Sequence, residues 1–303
     1  MAILIALMLA AYGVFAYLLG GLNRTTLDES KLSVTAGLSQ NGKITNIALF
    51  GLDSRNHDYE GRSDAIMVAS VNGKTGKIKL VSIARDTYVN VPGYGETKIN
   101  HAYAYGGAEL AIQTINENFN LDITDYAAVN FDSLADVIDA MGGIDFDVPV
   151  DMDYEDWGQD LSIHVSKGYQ HLDGYEAMGV FRFRNSYANG DIGRIDVQHQ
   201  MLKAMTSQFL KLHNIPNLSK LIDIYEKEVI TNLSAGNVMF YVKEFLKLDE
   251  SAIGFETIPA NYNGVKNGMS YVFIHVDEWL EYLNTWLNPY TTEITAANVD
   301  ILY

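Results

Sequence analysis

Three apolar runs, each about the length of a β-strand, lie within residues 44–84 of the chain. They read ITNIALFGL (44–52), AIMVASV (65–71) and KIKLVSIA (77–84). The first run predicts a buried strand. The other two are separated by NGKTG, which is a turn signal, and together they predict a β-hairpin.

Strand and helix patterns alternate along the rest of the chain. After residue 84, strands are predicted at 126–131, 144–150 and 254–260, and helices at 106–119, 132–143, about 198–248 and 276–287. Asp132 is the expected N-cap of the helix at 132–143. This mixture indicates an α/β fold: a single domain whose mixed central sheet is flanked by helices.

The N-terminal segment, residues 1–22, contains no charged residue. About 20 apolar residues cross a bilayer as a helix, whereas a cleaved signal peptide has a basic start and a shorter apolar core. We therefore expect a transmembrane anchor at 1–22, a polar linker at 23–43 and one domain at 44–303. Arg24 and Lys31 follow the segment and no basic residue precedes it, which by itself favours a cytoplasmic domain.

The composition excludes several classes of protein. The 303 residues carry 38 Asp and Glu against 21 Lys and Arg, a net charge of -17, which argues against broad binding of nucleic acid. The absence of Cys excludes disulfides, thiolate metal sites and a Cys nucleophile. Neither a GxSxG motif nor a P-loop is present, so serine hydrolases and P-loop ATPases have no support.

Arginine is unevenly placed along the chain. Three of the seven arginines fall within 55–85 and three within 182–194, whereas lysine continues to residue 266. The planar guanidinium group binds phosphate oxygens in pairs, while lysine serves as a general solvated cation. In an acidic protein these clusters predict a phosphate or pyrophosphate site; pairing with surface carboxylates is the alternative.

The predicted hairpin brings one arginine close to one aspartate. If Val71 faces Lys77 across the turn, Asp64 faces Ala84 and lies beside Arg85. Asp53 follows the first strand at its C-terminal end, the edge at which open α/β sheets bind ligands. Two carboxylates beside arginines suit a Mg²⁺ ion bound between them and a phosphate, although turn or capping roles remain open for both.

The second arginine cluster is also suited to binding an anion. Arg182 and Arg184 are separated by one residue, so on a strand both would point to one face. Arg194 opens the next predicted helix, with Gln198 one turn further on, and anions bind well near helix N-termini. Asp191 lies between these arginines, where an ion pair and a general base are both possible roles.

Two segments of the chain carry a series of motifs, GLDSR…GRSDAIMVASV…IKLVSIARDTYVNVPGYGETKINHAYAYGG and LDGYEAMGVFRFRNSYANGDIGRID. These motifs resemble those of the LytR-CpsA-Psr family, and the resemblance extends from about Asn46 to Leu202. It implies a membrane-anchored protein of mostly Gram-positive envelopes whose catalytic domain faces outward. It also implies a phosphotransferase that moves a glycopolymer, such as teichoic acid or capsular polysaccharide, from a polyprenyl pyrophosphate carrier to peptidoglycan.

The resemblance assigns roles to individual residues. It implies Mg²⁺, or Mn²⁺, bound by Asp53 and Asp64, and an acceptor hydroxyl activated by Asp191. The positions that it implies for phosphate binding are Arg62, Arg85, Lys98, Arg182, Arg184, Arg194 and Gln198, with Arg85 also catalytic and Asn100 near the site. The sequence departs from the family at Val197, where a further arginine is usual.

Two other functions remain open from the sequence. One is a polyprenyl pyrophosphate hydrolase, in which water is the acceptor. The other is a protein that binds lipid pyrophosphate and regulates the envelope without catalysis. A role in transcription fits poorly, because the charge of -17 and the expected membrane anchor disfavour nucleic-acid binding.

Overall fold

The computed structural model of the chain describes residues 25–32, 38–52, 61–156, 161–183, 187, 191–211, 229–234, 237, 241 and 252–302. The expected transmembrane anchor at 1–22, together with Asp53 and Arg184, lies outside these residues. Within the described part of the chain, no helix is both long enough and apolar enough to cross a bilayer.

A six-stranded sheet forms the centre of the domain. Its strands are β1 (Ile44–Leu52), β2 (Ser63–Asn72), β3 (Ile78–Ile83), β6 (Asp125–Asn130), β11 (Val229–Thr231) and β12 (Ile253–Thr257). Their order across the sheet is β11–β6–β1–β2–β3–β12. Because β1 pairs antiparallel with β2 and parallel with β6, the sheet is mixed, and the expected α/β fold class is confirmed.

Two-stranded sheets and the described helices surround this sheet. The further strands pair as β4 (Tyr88–Val91) with β5 (Gly95–Lys98), β7 (Ile144–Val148) with β10 (Gly168–Leu172), β8 (Met152–Asp156) with β9 (Leu161–Val165), and β13 (Ala260–Lys266) with β14 (Met269–Ile274). The described helices are α1 (Glu29–Leu32), α2 (Asn100–Phe119), α3 (Phe131–Ala140), α4 (Gly174–Arg182), α5 (Asp191–Lys211) and α6 (Val276–Trp286).

Helices cover both faces of the central sheet, which explains why its strands read as continuous apolar runs. Successive side chains of a strand point to opposite faces. Leu49 and Met67 pack with α3, α4 and α5 on one side, which we call the α5 face. Phe50 and Ile66 pack with α2 and α6 on the other side, the α2 face.

The register of the β2–β3 hairpin differs from the expectation by one residue. Val71 pairs with Ile78 rather than with Lys77. The cause is Asn72, whose side-chain oxygen accepts hydrogen bonds from Lys74 N and Thr75 N, while its own N–H donates to Lys77 O. Asn72 thus belongs to the ladder as well as to the turn, and the loop is one residue shorter than expected.

Three expectations about element bounds are corrected by the structure. The helix expected from residue 106 begins at Asn100 and continues across a kink at Gly106 and Gly107. The helix expected from Asp132 begins one residue earlier and is capped by Asn130, whose side chain accepts from Ser133 N at 2.7 Å. Within the helix expected over 198–248, residues 229–231 form the edge strand β11, a β-branched segment that favours strand.

The described part of the expected linker packs on the domain. Leu32 in α1 is fully buried, and its carbonyl accepts a hydrogen bond from Asn116 Nδ2 at 2.7 Å. The same amide donates to Ile123 O at 2.8 Å, and its oxygen accepts from Ile123 N at 2.8 Å. One buried side chain therefore joins α1, α2 and the segment that leads into β6.

Replacing this amide tests how much it contributes to stability. We expect Asn116→Ala to lower the free energy of unfolding by about 3 kcal/mol, because three buried backbone groups lose their partner. Gln113→Ala is the matched control on the same helix, since Gln113 is half-buried and bonds to Glu117. Chemical denaturation measures both variants, and an equal loss in the two would contradict this role of Asn116.

Candidate active site at one edge of the sheet

An ion pair between Asp64 and Arg85 lies where β2 begins and β3 ends. Arg85 Nη1 donates to Asp64 Oδ2 at 2.7 Å, and the side chains are 19% exposed for Arg85 and 10% for Asp64. The β2–β3 register, extended beyond the pair of Ile66 and Ile83, places position 64 opposite position 85. The two side chains are therefore close together, as expected. Asp64 faces Arg85 itself, whereas the sequence analysis placed Ala84 opposite Asp64.

Asn100, the first residue of α2, completes this cluster. Its N–H donates to Arg85 O at 3.2 Å, and its Nδ2 donates to Asp64 Oδ1 at 3.5 Å. Asn100 Oδ1 and Arg85 Nε are both buried without a hydrogen-bond partner among the described residues. Because buried polar atoms normally have partners, these two atoms are available to a water molecule, an ion or a ligand.

The oxygen atoms of this cluster fit a hard divalent cation. The Asp64 carboxylate and Asn100 Oδ1 are ligand types that Mg²⁺ accepts together with water and phosphate oxygens. The described residues contain no group of three His, Asp or Glu side chains that could hold a metal ion. A cation here would therefore also need ligands from the substrate, from water or from Asp53, which directly follows the described end of β1 at Leu52.

A pocket extends from the ion pair along the α5 face. Its polar lining includes Asp64, Arg85, Arg194 and Gln198, and its apolar lining includes Met67, Phe181, Ile195 and Leu202. Arg194 is 4% exposed, and Gln198 Nε2 donates to Phe181 O at 3.0 Å. Guanidinium groups beside apolar side chains in one pocket suit a phosphate joined to an apolar chain.

Arg182 lies in a helix and not on a strand. The condition under which Arg182 and Arg184 would share one strand face is therefore not met. Arg182 is the last residue of α4, and its guanidinium lies over the ring of Phe131, 5.9 Å from the centroid. Asp173 starts this helix with a capping box that includes Glu176, and that signal favours helix over strand. Phe131 directly follows β6, so Arg182 still reaches the same edge of the sheet.

The remaining positions that the sequence analysis discussed have different surroundings. Lys98 forms an ion pair with Asp86 at 3.0 Å, so it is engaged within the protein. Arg62 is exposed just before β2, and Asp191 is the first residue of α5. Val197 is 4% exposed in the apolar core of the α5 face, so an arginine in its place would put a charge among apolar side chains.

Two histidines, His199 and His101, lie beside the site. His199 lines the pocket, and its Nε2 lies 2.8 Å from Ser82 Oγ. His101 follows Asn100, and its Nδ1 lies 2.8 Å from Thr97 Oγ1. Burial lowers the pKa of His101, and the positive charges of Arg62 and Lys98 lower it further. Its position next to Asn100 is the signal that could have identified it.

The fold and this edge define a class of α/β protein with an arginine beside a carboxylate at one end of its central sheet. Comparison with known proteins narrows the class: the model of the LytR_cpsA_psr family matches residues 21–286. The chain therefore belongs to the LytR-CpsA-Psr family.

Individual relatives agree with this assignment. A protein of Bacillus mycoides (strain KBAB4) named polyisoprenyl-teichoic acid–peptidoglycan teichoic acid transferase TagU is 31% identical, over 89% of this chain and 90% of its own length. The crystal structure of B. subtilis TagV is 30% identical with a TM-score of 0.66, covering 80% of this chain and 95% of that one. A structure described as TagT bound to LIIa-WTA has a TM-score of 0.68 at 24% identity, covers 89% of this chain and 100% of that one, and supports the fold alone.

The buried His199 predicts a measurable pH dependence. Burial lowers its pKa below the ordinary value of 6.5, with the Asp196 and Glu256 carboxylates opposing the shift. The unfolded chain therefore takes up this proton more readily, and stability falls as the pH decreases from about 6.5 towards the lowered pKa of the folded state. We expect His199→Gln to make this fall shallower.

Denaturation of both proteins between about pH 7.5 and pH 5 measures the difference. Subtracting the variant from the wild type removes the contributions of the other histidines, some of which act in the opposite direction, such as His164 with its raised pKa. Identical pH profiles for the two proteins would show that His199 titrates equally in the folded and unfolded states.

Proposed function

We propose that this protein transfers a glycopolymer from a polyprenyl pyrophosphate carrier to a hydroxyl group of peptidoglycan. The polymer is a teichoic acid or a capsular or secondary wall polysaccharide. The observation that carries the proposal is the Asp64–Arg85 pair in a pocket that Arg194 and several apolar side chains also line. Membership of the family and the transferase names of its relatives support the same activity.

The reaction exchanges one phosphorus–oxygen bond for another. The acceptor hydroxyl oxygen bonds to the phosphorus that carries the glycopolymer, and the bond from this phosphorus to the bridging oxygen breaks. Polyprenyl phosphate leaves with the bridging oxygen and the electron pair, and the hydroxyl proton passes to a base. We assign the base role to Asp191 by its resemblance to the family.

The arginines act on the charge that develops during this step. Negative charge accumulates on the phosphoryl oxygens and on the leaving phosphate, and oriented donors in a site shielded from water stabilise it. Arg85 is oriented by Asp64, and Arg194 lies in the same pocket. The apolar side chains of the pocket, which include Phe181 and Leu202, are then the ones that the polyprenyl chain contacts next to its phosphate.

We propose Mg²⁺, or Mn²⁺ in its place, as the cofactor at Asp64 and Asp53. A divalent ion bound there supplies charge neutralisation for the pyrophosphate oxygens. The proposal is supported by Asn100 Oδ1, which is buried beside Asp64 without a hydrogen-bond partner among the described residues.

We also propose that residues 1–22 anchor the protein in the cell membrane as a single span. The catalytic domain then faces the outside of the cell, where peptidoglycan is available as the acceptor. The uncharged sequence of the segment supports the span, and the function supports the orientation.

A transfer assay with the full chain in detergent tests the proposed function. The donor is a polyprenyl-pyrophosphate-linked saccharide, the acceptor is peptidoglycan fragments, and Mg²⁺ is added or removed with a chelator. We expect Mg²⁺-dependent attachment, and we expect Arg85→Ala to lower kcat/KM by about 100-fold, the typical cost of removing one oriented donor. Arg85→Lys should lose less, because it keeps the charge but not the planar fork.

Lys74→Ala is the matched control for the loss of a positive charge. Lys74 is exposed in the turn at the other end of the same β2–β3 hairpin, so transfer should be unchanged. Thermal unfolding of each variant separates loss of activity from loss of fold. Release of phosphate without attachment would instead indicate a hydrolase, and donor binding without turnover would indicate a regulator.

A further inference from the structure

Two exposed tyrosines stack on each other beside the candidate site. The rings of Tyr94 and Tyr105 are 4.5 Å apart between centroids and inclined by 18°, while the residues are 58% and 45% exposed. Exposed apolar side chains are ordinary when they are scattered singly, but a contiguous patch often marks a binding surface. We call this pair the tyrosine platform.

The backbone holds the tyrosine platform in place. Tyr94 lies in the β4–β5 turn between Gly93 and Gly95, which both have positive φ, and its N–H donates to Val91 O at 2.9 Å. The Tyr94 hydroxyl donates to Tyr105 O at 3.4 Å. Tyr105 directly precedes the α2 kink, where Gly107 has a φ of 63°. Both rings are thus ordered before any ligand binds, which lowers the entropic cost of binding.

The platform continues into the candidate active site. The ring of His101 lies 5.7 Å from that of Tyr105, and His101 follows Asn100, whose amide reaches Asp64. Thr97 and His101 add polar groups along this path. A chain of contacts therefore leads from the stacked rings through His101 and Asn100 to the Asp64–Arg85 pair.

This surface has the chemistry that recognises a sugar. A pyranose ring has one face of C–H groups that stacks on the electron-rich face of an aromatic ring, and a rim of hydroxyl groups that bind polar side chains. The platform offers the aromatic rings, and Thr97 and His101 offer polar partners at its border. The net charge of the chain, -17, disfavours a nucleic acid as the ligand of these rings.

The position of the pocket indicates whether the tyrosine platform binds a sugar of the acceptor or a sugar of the donor. In phosphoryl transfer the attacking oxygen and the leaving oxygen lie roughly in line on opposite sides of the phosphorus. The pocket proposed for the leaving polyprenyl phosphate is lined by Met67, Phe181 and Leu202, and neither tyrosine of the platform belongs to its lining. The acceptor hydroxyl approaches the phosphorus from the side away from this pocket, and the platform lies outside the pocket, beside the start of α2.

We propose that Tyr94 and Tyr105 bind a sugar ring of the acceptor glycan and direct its hydroxyl group towards the Asp64–Arg85 pair. This inference rests on the proposed function for the identity of the acceptor. The binding itself needs no turnover, so it is measured separately from transfer.

Binding of soluble peptidoglycan glycan fragments to the full chain in detergent, followed by calorimetry, tests the proposal. We expect Tyr105→Ala and Tyr94→Ala each to raise Kd about tenfold, since aromatic stacking contributes about 1.4 kcal/mol. Tyr105→Phe keeps the ring and should retain the wild-type Kd. Tyr169→Ala, which removes a single tyrosine that is 75% exposed on β10, is the matched control and should leave Kd unchanged.

Transfer kinetics provide the second readout. In the alanine variants the KM for the acceptor should rise, while the KM for the polyprenyl-pyrophosphate-linked donor stays within about twofold of the wild type. An unchanged acceptor Kd in Tyr105→Ala overturns the proposal, and so does a rise confined to the donor KM, which would assign the platform to the donor sugar. Wild-type binding that depends on Tyr105 without any transfer would support the platform and count against the proposed function.

Discussion

The ion pair between Asp64 and Arg85 organises the functional edge of this protein. Both side chains are largely removed from water, so the loss of either one would leave its partner as an uncompensated charge. The pair forms because two antiparallel neighbours, β2 and β3, reach the same edge of the sheet in register. Helix α2 then begins against the pair, since Asn100 donates to the Arg85 carbonyl and to the Asp64 carboxylate.

Alternation along the strands gives this edge two different surfaces. Asp64 and Ile66 are two residues apart on β2, so they point to the same side of the sheet, and Ile66 packs on the α2 face. Ala65 and Met67 point to the other side and pack on the α5 face. Asp64 and Arg85 belong both to the polar cluster with Asn100 and to the lining of the pocket. A substrate with a charged centre and an apolar chain meets both environments without any rearrangement of the sheet.

The sequence allowed the central strands and the clustering of charge to be predicted, because both depend on local composition. The errors arise where one side chain decides between similar alternatives. Asn72 moves the hairpin register by one residue through its hydrogen bonds in the turn. Arg182 is the last residue of a capped helix, although its alternation with Arg184 suits a strand equally well. Contacts between side chains of different elements, such as the stack of Tyr94 on Tyr105, leave no periodic pattern in the sequence.

A net charge of -17 is compatible with phosphate binding because the relevant electrostatics are local. Salt screens exposed carboxylates over about 10 Å, whereas a guanidinium shielded from water acts more strongly on a neighbouring anion. Arg85 commits Nη1 to Asp64, while its Nε is buried without a hydrogen-bond partner among the described residues. The ion pair uses one of five donors and orients the rest. The carboxylate therefore makes Arg85 a preorganised donor, so a phosphate binds without the cost of ordering that side chain.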